Sequence, residues 1–138
     1  MKVITLKGRT VNPGKAEGEA IVTTIPFSFL GELDPVTGKV PSPSHELFGQ
    51  SLAGKVFVCP TGKGSSAGPN VSYAAMKAGN SPKAMVIKGV EPILAAAILA
   101  ANIPAVDRFD QDPLKVIKTG DYIKVDADAG IVEVIKKT

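Results

Sequence analysis

Three short apolar runs constrain the fold most. They are "KVFVC" (Lys55–Cys59), "AMVIK" (Ala84–Lys88) and "IPAVD" (Ile103–Asp107). Each is too short for a helix and lacks polar alternation, which marks strands buried on both faces. Helical patterns separate them. "VSYAAMKAG" (Val71–Gly79) has Asn70 as an N-cap and Gly79 as a stop. "PILAAAILAA" (Pro92–Ala101) carries proline in its first turn. Strand–helix–strand–helix–strand units form parallel pairs through right-handed crossovers.

The flanking segments supply more strands. Residues 2–11 alternate loosely, and "EAIVTT" (Glu19–Thr24) is a second short strand after the turn "NPGKAEG". "DPLKVI" adds a helical turn. Tyr122–Asp126 and Ile131–Lys136 form a hairpin through Asp128–Gly130. The expectation is one α/β domain over residues 1–138. It is a three-layer β/β/α arrangement with a partly parallel central sheet, crossover helices and a C-terminal β-hairpin.

At 138 residues, with 44% hydrophobic and 21% charged residues, the chain can bury a core. Tryptophan is absent, so Ala, Val and Ile fill most of that core. The net charge of +3 is spread over scattered lysines with no aromatic interleaving, which argues against nucleic acid as a partner. The longest apolar run, Ile93–Ala101, is far too short to span a membrane. No signal-peptide pattern opens the chain, so the expected location is the cytoplasm.

Residues 26–54 hold four prolines and four glycines. A loop of this length is functional or disordered. Phe27, Phe29, Leu30, Leu33 and Phe48 argue for a loop packed on the body or on a partner. His45, the only histidine, has no motif around it and is read as a surface or interface residue. Asp107 and Arg108 follow the third strand and read as an exposed ion pair.

The segment "CPTGKGSSAGPN" (Cys59–Asn70) leaves the first strand and enters the first helix. It is not a P-loop, because Gly62-Lys63 is followed by Gly64 rather than Ser or Thr. Gly62-x-Gly64-x-x-Ala67 matches a dinucleotide fingerprint, but Pro69 lies in the helix's first turn and no acidic residue ends the next strand. The remaining readings are two. Backbone N–H groups of the loop, with Lys63, hold an anion and activate Ser65 or Ser66. Alternatively, the serines merely cap the helix.

"GKGSS" after a buried strand resembles the Gly-x-Gly-Ser-Ser loop of the aconitase swivelling domain. The chain as a whole resembles the aconitase X group, and within it the small subunits of archaeal phosphomevalonate dehydratases. The resemblance rests on "GKAEGEAIVT", "FSFLGELDPVTGKV", "GQSLAGKVFVCPTGKGSSAG", "SPKAMVIKGVEPILAAAILAANIPAV" and "TGDYIKVDADAGIVEV". These stretches cover nearly the full length in order. It implies a swivelling domain in a two-subunit hydro-lyase that dehydrates (R)-5-phosphomevalonate to trans-anhydromevalonate 5-phosphate, for isoprenoid biosynthesis.

It further implies that a large subunit holds a [4Fe–4S] cluster binding the leaving hydroxyl as a Lewis acid. This chain, with one cysteine, supplies no cluster ligand set and binds no cofactor alone. Ser65 is implied as the proton acceptor, with Ser66 the second choice. Gly62, Lys63 and Gly64, together with Asp34, Thr37 and Gly38, are the implied substrate contacts. "DPVTG" also reads as an ordinary turn. One departure stands out: the arginine that follows the serine pair in aconitase is Ala67 here. Another hydroxy acid, such as a hydroxyproline, remains an alternative substrate, and a non-catalytic anion-binding module an alternative role. The C-terminal half also resembles the mobile phosphohistidine domain of phosphoenolpyruvate-utilising enzymes. Ile93 lies near its histidine position and no histidine is close, which excludes phosphocarrier chemistry.

Overall fold

The computed structural model describes residues 1–137. Eight strands and four short helices follow in the order β1 (Lys2–Lys7), β2 (Arg9–Asn12), β3 (Lys15–Val22), α1 (Phe29–Glu32), β4 (Val56–Cys59), α2 (Gly68–Lys77), β5 (Ala84–Ile87), α3 (Pro92–Ala100), β6 (Ala105–Asp107), α4 (Pro113–Val116), β7 (Tyr122–Asp126) and β8 (Ile131–Lys136). The strands hydrogen-bond in the spatial order β1-β8-β7-β3-β4-β5-β6-β2. β3, β4, β5 and β6 run parallel, while the β1, β8, β7 and β3 pairings are antiparallel.

The chain passes between layers at two places, one within β3 and one between β1 and β2. Lys15–Glu19 of β3 pair with β7, and Ala20–Val22 pair with β4. Gly18 lies next to this switch, where a Cβ would sit 3.3 Å from the Gly54 carbonyl. At the two ends of the strand order, β1 pairs with β8 and β2 with β6. The break falls at Gly8, whose N–H donates to the Gly130 carbonyl at 2.8 Å. A Cβ on Gly8 would lie 2.5 Å from the Asp107 carbonyl oxygen. The expected strand over 2–11 is therefore two strands, because only glycine lets the backbones approach here. β3 likewise starts at Lys15, inside the expected turn.

Side chains of β4 alternate between two cores, as strand geometry requires. Phe57 and Cys59 face α2, α3 and the long loop. Val56 and Val58 face the antiparallel layer, with Leu6, Ile123, Val125, Val132 and Val134. Every residue of β4, β5 and β6 is buried, which explains their apolar pattern, interrupted only by Asp107 at the end of β6. The expected β/β/α layering and C-terminal hairpin are present.

The long segment is packed on the body. Phe27, Phe29, Leu33, Val40, Leu47 and Leu52 are buried, whereas Leu30 and Phe48 are exposed. Phe27 meets Phe29 and Phe57 edge-on, with ring centroids 5.1 and 4.7 Å apart. α1 is a turn rather than a true helix: Leu30 (φ −71°, ψ 117°) and Gly31 (φ 84°, ψ −12°) have type II geometry. His45 is buried, so of the surface or interface roles expected of it the exposed surface one does not hold. Its neighbours Leu47 and Leu52 draw the loop into the core. α2 begins at Gly68, so Asn70 lies inside the helix rather than capping it. Proline at position 69 suits that early start.

Candidate functional site

The glycine loop joins the carboxyl end of β4 to the amino end of α2. It is strapped to the long segment by two backbone bonds: Phe27 N–H to Thr61 O (2.9 Å) and Lys63 N–H to Phe27 O (3.2 Å). Gly62 is buried at its base. A Cβ there would collide with the Glu91 carboxylate and lie 2.7 Å from Leu94 Cβ. Glu91 caps α3, accepting from Ile93 N–H at 2.9 Å and Leu94 N–H at 2.5 Å. Glycine at this position thus lets the loop rest directly on a helix cap. Gly64 has φ +87°, a left-handed conformation that suits glycine, and the Gly64–Ser65 peptide is cis.

Ser65 and Ser66 are both exposed. Ser65 Oγ accepts from Ala67 N–H at 3.3 Å, and Ser65 O accepts from Gly68 N–H at 2.8 Å. Ser65 therefore shapes the helix entry without sitting at the N-cap, which is Ala67. Ser66 makes no capping bond. Among the described residues, the N–H groups of Gly64, Ser65 and Ser66 donate to no protein acceptor. These donors lie beside the positive end of a ten-residue helix, an arrangement that favours an anion.

Lys63 adds a cation held by a residue the sequence reading overlooked. Its Nζ donates to Glu32 Oε2 at 2.7 Å. Glu32 Oε1 accepts the Ser28 N–H at 2.9 Å. His45 Nε2 lies 3.9 Å from the same Oε1, while His45 Nδ1 accepts the Leu47 N–H at 2.9 Å. Ser28 and Glu32 are four residues apart, one more than a capping box, so no local motif marks this carboxylate in the sequence. The neighbouring Glu46 pins the same loop to the end of β3, accepting from Thr23 Oγ1 and Thr24 N–H at 2.6 Å each. Those bonds, the Thr23 hydroxyl first, hold its carboxyl below the ordinary value.

Asp34, Thr37 and Gly38 lie elsewhere. Asp34 O accepts from Gly38 N–H at 2.7 Å, Asp34 Oδ1 from Val36 N–H at 2.9 Å, and Thr37 Oγ1 from Lys39 N–H at 3.2 Å. Asn80 Nδ2 ties this turn down through Pro35 O (3.0 Å) and Val36 O (2.9 Å). Asn80 follows the carboxyl end of α2, and a helix of that length spans about 15 Å. The chain brings Gly62, Lys63, Gly64, Ser65 and Ser66 together, and it leaves the Asp34–Gly38 turn at the far end of α2.

Residues 5–134 match the family model for the aconitase X swivel domain. The chain belongs to the aconitase X swivel-domain family. It is 43% identical over 136 residues to the phosphomevalonate dehydratase small subunit of Methanosarcina acetivorans, covering 99% of this chain and 94% of that protein. With the small subunit of the same name from Thermococcus onnurineus it shares 48% identity, covering 94% and 97% of the two chains. The crystal structure of Thermococcus kodakaraensis aconitase X in its holo form superposes with a TM-score of 0.90 at 45% identity, covering 96% of this chain and 99% of that one.

Two other features of this swivel domain bear on chemistry. Asp107 is fully buried and pairs with Arg9, not Arg108: Arg9 Nε and Nη2 each donate to it at 2.9 Å. That pair, which joins β2 to β6, corrects the exposed Asp107–Arg108 pairing expected from their adjacency. Arg108 itself has φ +52° and, with Lys88 and Asp112, lines a shallow depression of about 400 Å³ past the ends of β5 and β6. Cys59 is fully buried, and burial pushes its thiol well above the ordinary range. Among the described residues no three His, Cys, Asp or Glu side chains group as metal ligands. No described helix is long and apolar enough to cross a membrane.

Proposed function

We propose that the chain acts as one swivelling unit, residues 1–138, in a cytoplasmic two-subunit phosphomevalonate dehydratase. The observation that carries this reading is the glycine loop: an exposed Ser65 beside unpaired backbone donors and a lysine, in a chain closely related to small subunits of that name. In this reading the large subunit holds the [4Fe–4S] cluster, and the heterodimer encloses the substrate.

The reaction removes a proton from the carbon alpha to a carboxylate and expels the hydroxyl from the next carbon. A free serine is too weak a base for this. Charge on Ser65 Oγ is stabilised by the nearby N–H groups, the Lys63 ammonium and the amino end of α2. The carboxylate gathers negative charge as the proton leaves, and the same donors serve it. Ala67 offers no guanidinium, so Lys63 and the backbone carry the anion contacts that the arginine supplies in aconitase. Lys63 Nζ has donors beyond the one given to Glu32, and these first engage the substrate anion, which then draws the ammonium off the carboxylate.

The test is reconstitution. The chain is co-purified anaerobically with its large subunit, and loss of (R)-5-phosphomevalonate is followed. Turnover by the complex and none by either subunit supports the reading. Turnover by this chain alone refutes the two-subunit account. A complex that dehydrates a hydroxyproline instead refutes the substrate assignment, and a complex that binds anions without turnover refutes the catalytic one.

A further inference from the structure

Glu32 is placed where three elements meet. Its Oε2 holds the Lys63 ammonium of the glycine loop, at 2.7 Å. Its Oε1 takes the Ser28 N–H, at 2.9 Å, and retains one free lone pair. Facing that oxygen at 3.9 Å is His45 Nε2, the one buried side-chain N or O atom without a hydrogen-bond partner among the described residues.

The His45 tautomer follows from its other nitrogen. Nδ1 accepts the Leu47 N–H, so the neutral ring carries its proton on Nε2. That nitrogen lies 3.9 Å from the carboxylate oxygen, about 0.7 Å beyond the usual bonding range. A buried donor left unpaired is costly and uncommon in native folds. The side chain of His45 is only 2% exposed, so water does not reach it freely, whereas Lys63 is 49% exposed and faces solvent. Glu32 thus has one mobile partner on the solvent side and one fixed, waiting partner on the core side.

We infer that Glu32 is a positioning residue for Lys63, with His45 as its alternate donor. In the free chain Glu32 parks the ammonium at the glycine loop. When a substrate carboxylate or phosphate draws Lys63 away, the Glu32 carboxylate tilts onto His45 Nε2–H, which donates to the oxygen the ammonium has left. The carboxylate thereby turns to the core side and stays hydrogen-bonded, so releasing the ammonium leaves no unpaired acceptor behind. The inference rests on the reading above that Lys63 contacts the substrate.

Two measurements on the reconstituted complex test it. The first is kinetic. Lys63→Met is expected to raise KM for (R)-5-phosphomevalonate about tenfold, and Glu32→Gln about threefold with kcat little changed; the double variant matches Lys63→Met alone, because Glu32 acts only through the lysine. Multiplicative effects in the double variant overturn the inference. The second needs no turnover. His45 is the only histidine of this chain, so a ¹⁵N-histidine-labelled chain mixed with unlabelled large subunit gives one imidazole signal from it. Lys63→Met should free Glu32 and shift the Nε2-bound proton downfield as the bond shortens. An unmoved resonance overturns the inference. Absence of turnover by the wild-type complex would instead refute the proposed function and leave the second measurement to decide this one.

Discussion

Replacing Gly62 by alanine tests how the glycine loop is seated. The new Cβ would collide with the Glu91 carboxylate and press on Leu94 Cβ at 2.7 Å, and both neighbours belong to α3. Glu91 must then leave the N–H groups of Ile93 and Leu94, which it now caps. Losing such a cap costs about 1 kcal/mol, and forcing a methyl group against Leu94 costs about 1–3 kcal/mol more. The sum is about 2–4 kcal/mol. An unfolding entropy of about 2 cal/mol/K per residue, over a chain of this length, converts that to a fall in Tm of about 7–14 °C. Thermal unfolding followed by far-UV circular dichroism measures it. Glu91→Ala removes the same cap, so the two changes together should cost less than their sum. A fall under about 2 °C for Gly62→Ala, or strict additivity with Glu91→Ala, would refute the packing argument.

Two further outcomes follow from burial and charge. Glu46 titrates below its ordinary value of 4.5, chiefly through the Thr23 hydroxyl, so its contribution is present above pH 4.5 and disappears as pH falls through the lower folded value. Glu46→Gln should therefore be less stable than wild type at pH 7 and converge with it in acid, as read by urea unfolding across that range; a constant gap at every pH would refute the assignment. The Cys59 thiol is buried and held protonated, so it should resist thiol reagents in the native chain and react at the rate of unfolding, as counted by mass spectrometry. Rapid native labelling would contradict its position in the core.

What could be read from the sequence followed from local pattern. The β7–β8 hairpin and α3 were legible nearly to the residue, since apolar alternation and a proline at the first turn are short-range signals. The glycine-loop cluster was legible too, because Gly62 through Ser66 are contiguous. Contacts across the fold were not. Arg9 and Asp107 are 98 residues apart, and nothing near Asp107 reveals that a partner arrives from β2. Gly18 looked like a turn residue because its neighbours are polar, yet it lies within β3 beside the Gly54 carbonyl. His45 lies in a Pro/Ser-rich stretch whose composition signals exposure, while flanking leucines carry it into the core. Glu32 drew no notice because its partners, Lys63 and His45, come from different loops.

The central claim is that Ser65 takes the substrate proton. It is tested most directly by comparing Ser65→Ala with Ser66→Ala in the anaerobic two-subunit complex under saturating (R)-5-phosphomevalonate. Loss of a positioned base lowers kcat by about 10²–10⁴-fold. The account predicts a loss of that size for Ser65→Ala with KM little changed, and near-normal kcat for Ser66→Ala. Near-normal turnover by Ser65→Ala would contradict it.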